Sequence, residues 1–322
     1  MKKIRLFWYK KPRVRYGNFG DELGPYLIGK LSSLPIEHVP IPRGGLFLLL
    51  TYFKNLALRR YDLAMLPAVL KSFFLRGRYI TSIGSIIGWS SGSRVVWGSG
   101  ILYYNEKISN GEFLAVRGQY TQRRLRNLGY EVPDVLGDPA LLLPLVFNPR
   151  VKKKYKLGII PHHTHTESLC SLASGEDVIV IDLLDDIEVI IRKVLACEFV
   201  ISTSLHGLII AHAYGIPAQW YEYRQIEWHG SDVKFFDYFS SVGITEYVPF
   251  QMPDQSCFSL KEILDRFTQA DGQALIQLKL SVLQKQLLDV APFPVDRWHG
   301  SIVNESVSES TESPQVRSIG SS

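Results

Sequence analysis

Short apolar runs rich in Val, Ile and Phe recur along the chain. They alternate with stretches whose apolar residues fall three and four apart, the spacing of one helix face. The runs predict strands at Ile4–Tyr9, Glu37–Ile41, Tyr79–Ile83, Arg94–Trp97 and Phe113–Val116, and again at Tyr155–Ile160, Val178–Ile181, Phe199–Ile201 and Ala218–Tyr221. Helical spacing covers Glu22–Leu31, Gln119–Leu128, Ile187–Leu195, Leu260–Phe267 and Ala274–Leu288. Strands and helices in alternation predict α/β units with parallel sheets. Asn148-Pro149-Arg150 and Lys152–Lys154 interrupt the pattern near the middle and read as a linker. The expected organisation is therefore two Rossmann-like domains, 1–148 and 149–298, with a cleft between them. A Ser-rich segment, 299–322, has too few large apolar groups to fold.

Composition narrows the classes. The 322 residues are 46% hydrophobic, enough for a sizeable core. Three widely spaced cysteines suggest neither a disulfide framework nor a zinc site, and predict a reducing cytoplasm. The formal charge of +5 suits a small anionic substrate or an anionic membrane surface. No nucleic-acid motif and no Walker-type GK[ST] is present, so no nucleic acid is expected. Gly44–Arg78 sets lysines and arginines among Leu and Phe. It can be read as core helices with snorkelling basic stems. It can also be read as a basic face lying on the inner side of the cytoplasmic membrane, a peripheral contact through 44–78. None of its uncharged apolar runs approaches the roughly 18 residues of a membrane span.

The chemistry gathers at strand ends. In Phe199–Pro217, a buried strand is followed by Ser202-Thr203-Ser204, and Leu205-His206-Gly207 then opens a helix. His206 is thereby placed on a first helical turn, where unpaired N–H groups and the helix dipole favour an anion. The ordinary reading is an N-capped helix with a structural histidine. Gly17-Asn18-Phe19-Gly20-Asp21 follows the first strand; its glycines permit close approach, and Asp21 is either a helix cap or a holder of hydroxyls. Gly84-Ser85 and Gly98-Ser99-Gly100 are further turns at strand ends. Phe113–Val116 delivers Arg117, either a bidentate clamp for phosphate or carboxylate or one half of a salt bridge. Asp138 can simply fix its turn. His162, His163 and His165 follow another strand without a metal-like partner set, so no metal is expected. Arg224, His229 and Lys234 can line the same cleft.

Taken in order, these segments resemble the polysaccharide pyruvyl transferase family, in the branch that modifies bacterial exopolysaccharide. The resemblance rests on GNFGDELGPYL from Gly17, WGSGI from Trp97, and FLAVRGQYTQRRLRNLGYEVPDVLGDPALLLP from Phe113. It continues in GIIPHH from Gly158, FVISTSLHGLIIAHAYGIPAQW from Phe199 and VKFFDYF from Val233. It implies a fold like the two-domain glycosyltransferase B (GT-B) architecture, with the first half on the acceptor side and the second on the donor side. It also implies phosphoenolpyruvate as donor substrate, no other cofactor, and a saccharide acceptor, lipid-linked or not, with neighbouring hydroxyls. On this resemblance His206 is the general acid or a donor to phosphate, and Asp21 the partner of acceptor hydroxyls or the base. Arg117, His163, Ser204, Arg224 and Lys234 are expected on the donor side, and Asn18, Asp21 and Gly100 on the acceptor side. The chain departs from the family at Ser204, where many members carry an arginine. Two other classes remain open at this stage: a nucleotide-sugar glycosyltransferase with Glu222 or Glu227 on the ribose, and a catalytically inactive glycan-binding relative.

Overall fold

The computed structural model describes residues 2–10, 18–40, 77–162, 175–222, 232–251, 260–269 and 272–296, with isolated positions between 50 and 70 and at 165–166. The first half runs β1 (Ile4–Phe7), α1 (Phe19–Ser32), β2 (Ile36–His38), β3 (Tyr79–Thr81), β4 (Arg94–Trp97), β5 (Glu112–Val116), α2 (Gln119–Asn127) and β6 (Val135–Leu136). A 3-10 turn, Pro139–Leu142, leads into the short α3 (Leu143–Val146). The second half runs β7 (Tyr155–Ile160), β8 (Val178–Val180), α4 (Ile187–Leu195), β9 (Cys197–Ser202), α5 (Leu205–Ala213), β10 (Ala218–Glu222), α6 (Val233–Ser241), β11 (Phe250–Gln251), α7 (Leu260–Gln269) and α8 (Leu280–Asp289).

The protein is mixed α/β, with two parallel sheets. The first has the order β2-β1-β3-β4-β5-β6 and the second, read from its far edge, β8-β7-β9-β10-β11. Both follow one plan: the second strand lies outside the first, and the third begins a run in the other direction. That is a doubly wound order, and its direction reverses between the first and third strands. Crevices at strand C-termini open at such reversals, here beyond β1/β3 and beyond β7/β9.

Local chemistry accounts for the elements. β7 and β9 bury Leu157, Ile159, Ile160, Val200 and Ile201, as central parallel strands must. The Asp186 carboxylate caps α4 by accepting from Glu188 N at 2.9 Å and Val189 N at 3.4 Å. α1 begins at Phe19, three residues earlier than its apolar spacing predicts. Asn18 supplies the first turn's acceptor through its carbonyl, 2.9 Å from Asp21 N. Pro25 lies inside α1 and has no N–H to offer the Asp21 carbonyl. α8 starts at Leu280, six residues after the expected Ala274, because Asp271–Lys279 is taken up by turns where it is described.

The largest apolar cluster is shared by both sheets. It joins Leu6, Leu23, Trp97, Leu141 and Leu142 to Ile160, Leu205 and Leu208. α8 returns from the second half to the first. Trp97 Nε1 donates to the Leu287 carbonyl at 2.9 Å, and Gln284 Nε2 to the Leu141 carbonyl at 2.8 Å. Among the described residues no helix is long and apolar enough to cross a membrane. Most of 44–78 and all of 299–322 lie outside the described residues, as do His163, Arg224 and His229.

Candidate functional site

The segment from β9 into α5 forms the edge of the second crevice. Ser202 Oγ sits 2.8 Å from the Ile160 carbonyl and accepts from Ser204 N at 3.0 Å, tying the turn to β7. Thr203 Oγ1 accepts from His162 N at 2.7 Å and lies 3.1 Å from His165 Nδ1. A Cβ on Gly207 would come within 2.3 Å of Ser202 Oγ, so only glycine lets α5 settle this closely on the turn. Ser204 occupies the N-cap position of α5 but makes no side-chain capping bond. The hydroxyls near the turn therefore hold its backbone, and none of them caps the helix.

His206, the second residue of α5, faces the first half. Its ring lies against Gly20 of α1: a Cβ there would stand 2.1 Å from His206 Nδ1. The start of α1 is pinned to the second half by Phe19 N, which donates to the Leu183 carbonyl at 2.8 Å. His206 Nε2 is shut from solvent and has no hydrogen-bond partner among the described residues. Burial lowers its pKa to about 3, and the positive charges of Arg117 and Lys234 push the same way. The resting imidazole is therefore neutral, close to two cations, with one nitrogen unsatisfied.

Arg117 leaves β5 fully buried. Nε donates to Asp237 Oδ2 at 3.0 Å, Nη1 to Ser85 Oγ at 2.6 Å and Nη2 to the Ile101 carbonyl at 2.6 Å. Asp237 also accepts from Thr121 N at 2.8 Å and Thr121 Oγ1 at 2.6 Å. One carboxylate of α6 thus caps α2 and pairs with Arg117 across the two halves. A Cβ on Gly100 would reach within 2.5 Å of the guanidinium, and one on Gly118 within 1.7 Å of the Asp237 carbonyl. Gly100 N–H already donates to the Gly84 carbonyl at 3.1 Å. Gly100 therefore serves by making room for Arg117. Between the two readings of Arg117, its hydrogen bonds describe an ion pair; its charge still reaches the crevice.

Lys234, near the start of α6, is largely withdrawn from water. Burial, then Arg117, lowers its pKa to about 8, against a smaller upward pull from Asp232. No ion pair of Lys234 is formed among the described residues. On the opposite side, Asp21 is raised to about 7, by burial first and by Glu22 second. Asn18 stands at the helix start beside it, without a side-chain capping bond. The seam therefore gathers His206, Lys234 and the field of Arg117 on one side, and Asn18, Gly20 and Asp21 on the other. Sequence reading passed over Asp237. The signal was there, a lone carboxylate among the aromatic residues of VKFFDYF. Asp138 is also fully buried, with Oδ1 accepting from Ala140 N at 3.0 Å and Oδ2 unpaired. Burial raises it to about 6 despite Arg117.

The chain is mixed α/β, with His206, Lys234 and Arg117 near one another at the start of α5, and comparison with known proteins makes the class more specific. Residues 72–224 match the model of the polysaccharide pyruvyl transferase family, the transferase family that the motifs resemble. The matched stretch runs from β3 to β10 and includes Arg117, Ser204 and His206, while Asp21 and Lys234 lie outside it. An uncharacterized protein of Acanthamoeba polyphaga mimivirus is 35% identical over 170 residues, which is 50% of this chain and 59% of that protein.

Proposed function

We propose that the protein transfers pyruvate from phosphoenolpyruvate to two neighbouring hydroxyls of a saccharide, forming a ketal and releasing phosphate. The observation that carries this reading is the imbalance at the crevice. Arg117, Lys234 and His206 lie close enough for Arg117 to depress the other two; among the described residues only Arg117 of the three is ion-paired with a carboxylate, and the pull of Asp232 on Lys234 is smaller than the push of Arg117. Such a cluster is stabilised by an incoming anion, and phosphoenolpyruvate offers both a carboxylate and a phosphate.

The chemistry follows from the groups present. Bound anion opposes the field of Arg117 and Lys234 and so raises the His206 pKa, charging the imidazole only when donor is in place. His206 then gives a proton to the methylene carbon. One acceptor hydroxyl adds to the central carbon, its proton passing to Asp21, whose pKa near 7 suits the exchange. Phosphate departs with the electrons of its C–O bond, the second hydroxyl adds to close the ketal, and its proton passes to the His206 imidazole left neutral by the first step. In this reading the architecture is GT-B-like, with 1–148 holding acceptor and 149–298 donor. Asn18 and Asp21 address the acceptor; Lys234, the first turn of α5, His163 and Arg224 address the donor. Ser204 keeps the helix start open where relatives place an arginine, and Lys234 supplies the missing charge. A bacterial exopolysaccharide precursor and a cytoplasmic setting fit this chemistry.

Thermal-shift titration with phosphoenolpyruvate, alongside nucleoside-diphosphate sugars, tests the donor. Stabilisation by phosphoenolpyruvate alone is expected. Stabilisation by the nucleotide sugars alone would overturn the reading.

A further inference from the structure

The loop that follows β4 turns aromatic rings toward solvent beside this site. Tyr103 and Tyr104 are 40% and 51% exposed. The Tyr104 ring stands edge-on to Tyr120, centroids 6.0 Å apart, and the Arg123 guanidinium lies 5.6 Å from the Tyr120 centroid. The rings are continuous with the basic cluster through one residue. Val233 is fully buried in the apolar cluster that holds Ile101 and Leu125 and against which Tyr120 packs. Its two chain neighbours are Asp232, exposed at the head of α6, and Lys234 of the crevice. The Asp232 carboxylate is near enough to raise the Tyr104 phenol and to act on Lys234.

A patch of this make-up selects its ligand. A pyranose fits it. The ring's C–H bonds, polarised by the oxygen on each carbon, pack against the negative face of an aromatic ring. Its hydroxyls donate to a carboxylate, which can accept from two neighbours at once.

We propose that Tyr104, with Tyr120 and Asp232, forms a saccharide subsite in which a pyranose lies with its C–H face on Tyr104 and its hydroxyls toward Asp232. That this sugar is the acceptor rests on the function proposed above; the binding itself does not. Asp232 and Lys234 flank Val233 at the head of α6, so the subsite adjoins the side on which phosphoenolpyruvate is proposed to sit.

Saturation-transfer NMR with the methyl pyranosides of glucose, galactose and mannose tests the subsite. Transfer to the ring C–H protons of at least one is expected with the wild-type chain. Tyr104→Ala should lower it roughly fivefold, the scale of one aromatic face, while Tyr104→Phe keeps it. Circular dichroism on each variant checks that the exposed substitution leaves the fold intact. Equal transfer with Tyr104→Ala, or none to any pyranoside with the folded wild-type chain, would overturn the subsite. Calorimetry with phosphoenolpyruvate on the same samples separates the two proposals. Tyr104-dependent transfer without phosphoenolpyruvate binding keeps the subsite and removes the donor; phosphoenolpyruvate binding without transfer does the reverse.

Discussion

Arg117 and His206 are two basic side chains near the seam between the halves, the first fully buried and the second half-buried with its Nε2 shut from solvent, and the fold treats them in opposite ways. Three donors of Arg117 meet a carboxylate, a hydroxyl and a carbonyl. His206 Nε2 meets no partner among the described residues, and the charges of Arg117 and Lys234 oppose its protonation. Buried polar groups are normally paired, because an unpaired one costs free energy and returns none. The contrast separates scaffold from site. Arg117 with Asp237 holds α6 and α2 together, and the same α6 then carries Lys234 to the crevice. His206 bears the cost of being left open, which is stabilising only once a ligand fills the gap.

The largest expected effect breaks the paired side. Asp237→Ala leaves Arg117 buried and uncompensated and frees Thr121 N, so urea unfolding should show a loss of about 3–5 kcal/mol. A midpoint like that of the wild-type chain would mean the pair is not the latch. His206→Ala should behave the other way. Phosphate release from phosphoenolpyruvate, with a crude exopolysaccharide precursor as acceptor, should fall by about 100-fold or more, with the urea midpoint nearly unmoved. Release at the wild-type rate would remove His206 from the chemistry.

Lys234→Met sharpens the comparison, since it removes one of the two charges opposing His206. Calorimetry should show phosphoenolpyruvate binding weakened by about tenfold. NMR titration should find the imidazole titrating above its resting value of about 3; an unchanged midpoint would show that Lys234 does not act on it. The smallest effect concerns Asp21. Its folded pKa of about 7 is above the ordinary 3.8, so the folded state keeps a proton that the unfolded chain has released. Stability therefore falls as pH rises between those two values. Asp21→Asn should melt higher than wild type at pH 8 and no higher at pH 4. A gain of the same size at both would assign the effect to packing.

Much of the framework was legible from patterning. β4, β7 and α4 begin and end where their apolar runs predict, and α5 follows β9 at the expected turn, with His206 on its first turn. β6 and β11 escaped notice because two-residue strands carry no period. α6 was read only as a family motif, since its buried face interleaves Asp237 with Phe235, Tyr238 and Phe239. The resemblance read from the motifs is the family whose model matches 72–224.

Local periodicity determined the strands, most helices and which residue types crowd the strand ends, because those depend on neighbours two to four positions away. It could not say which ends meet. Gly20 touches His206 from 186 positions away, and Asp237 pairs with Arg117 from 120. Only the tertiary structure decided that Arg117 is satisfied while His206 is left open, because hydrogen-bond partners and burial are set by the packing of one half on the other.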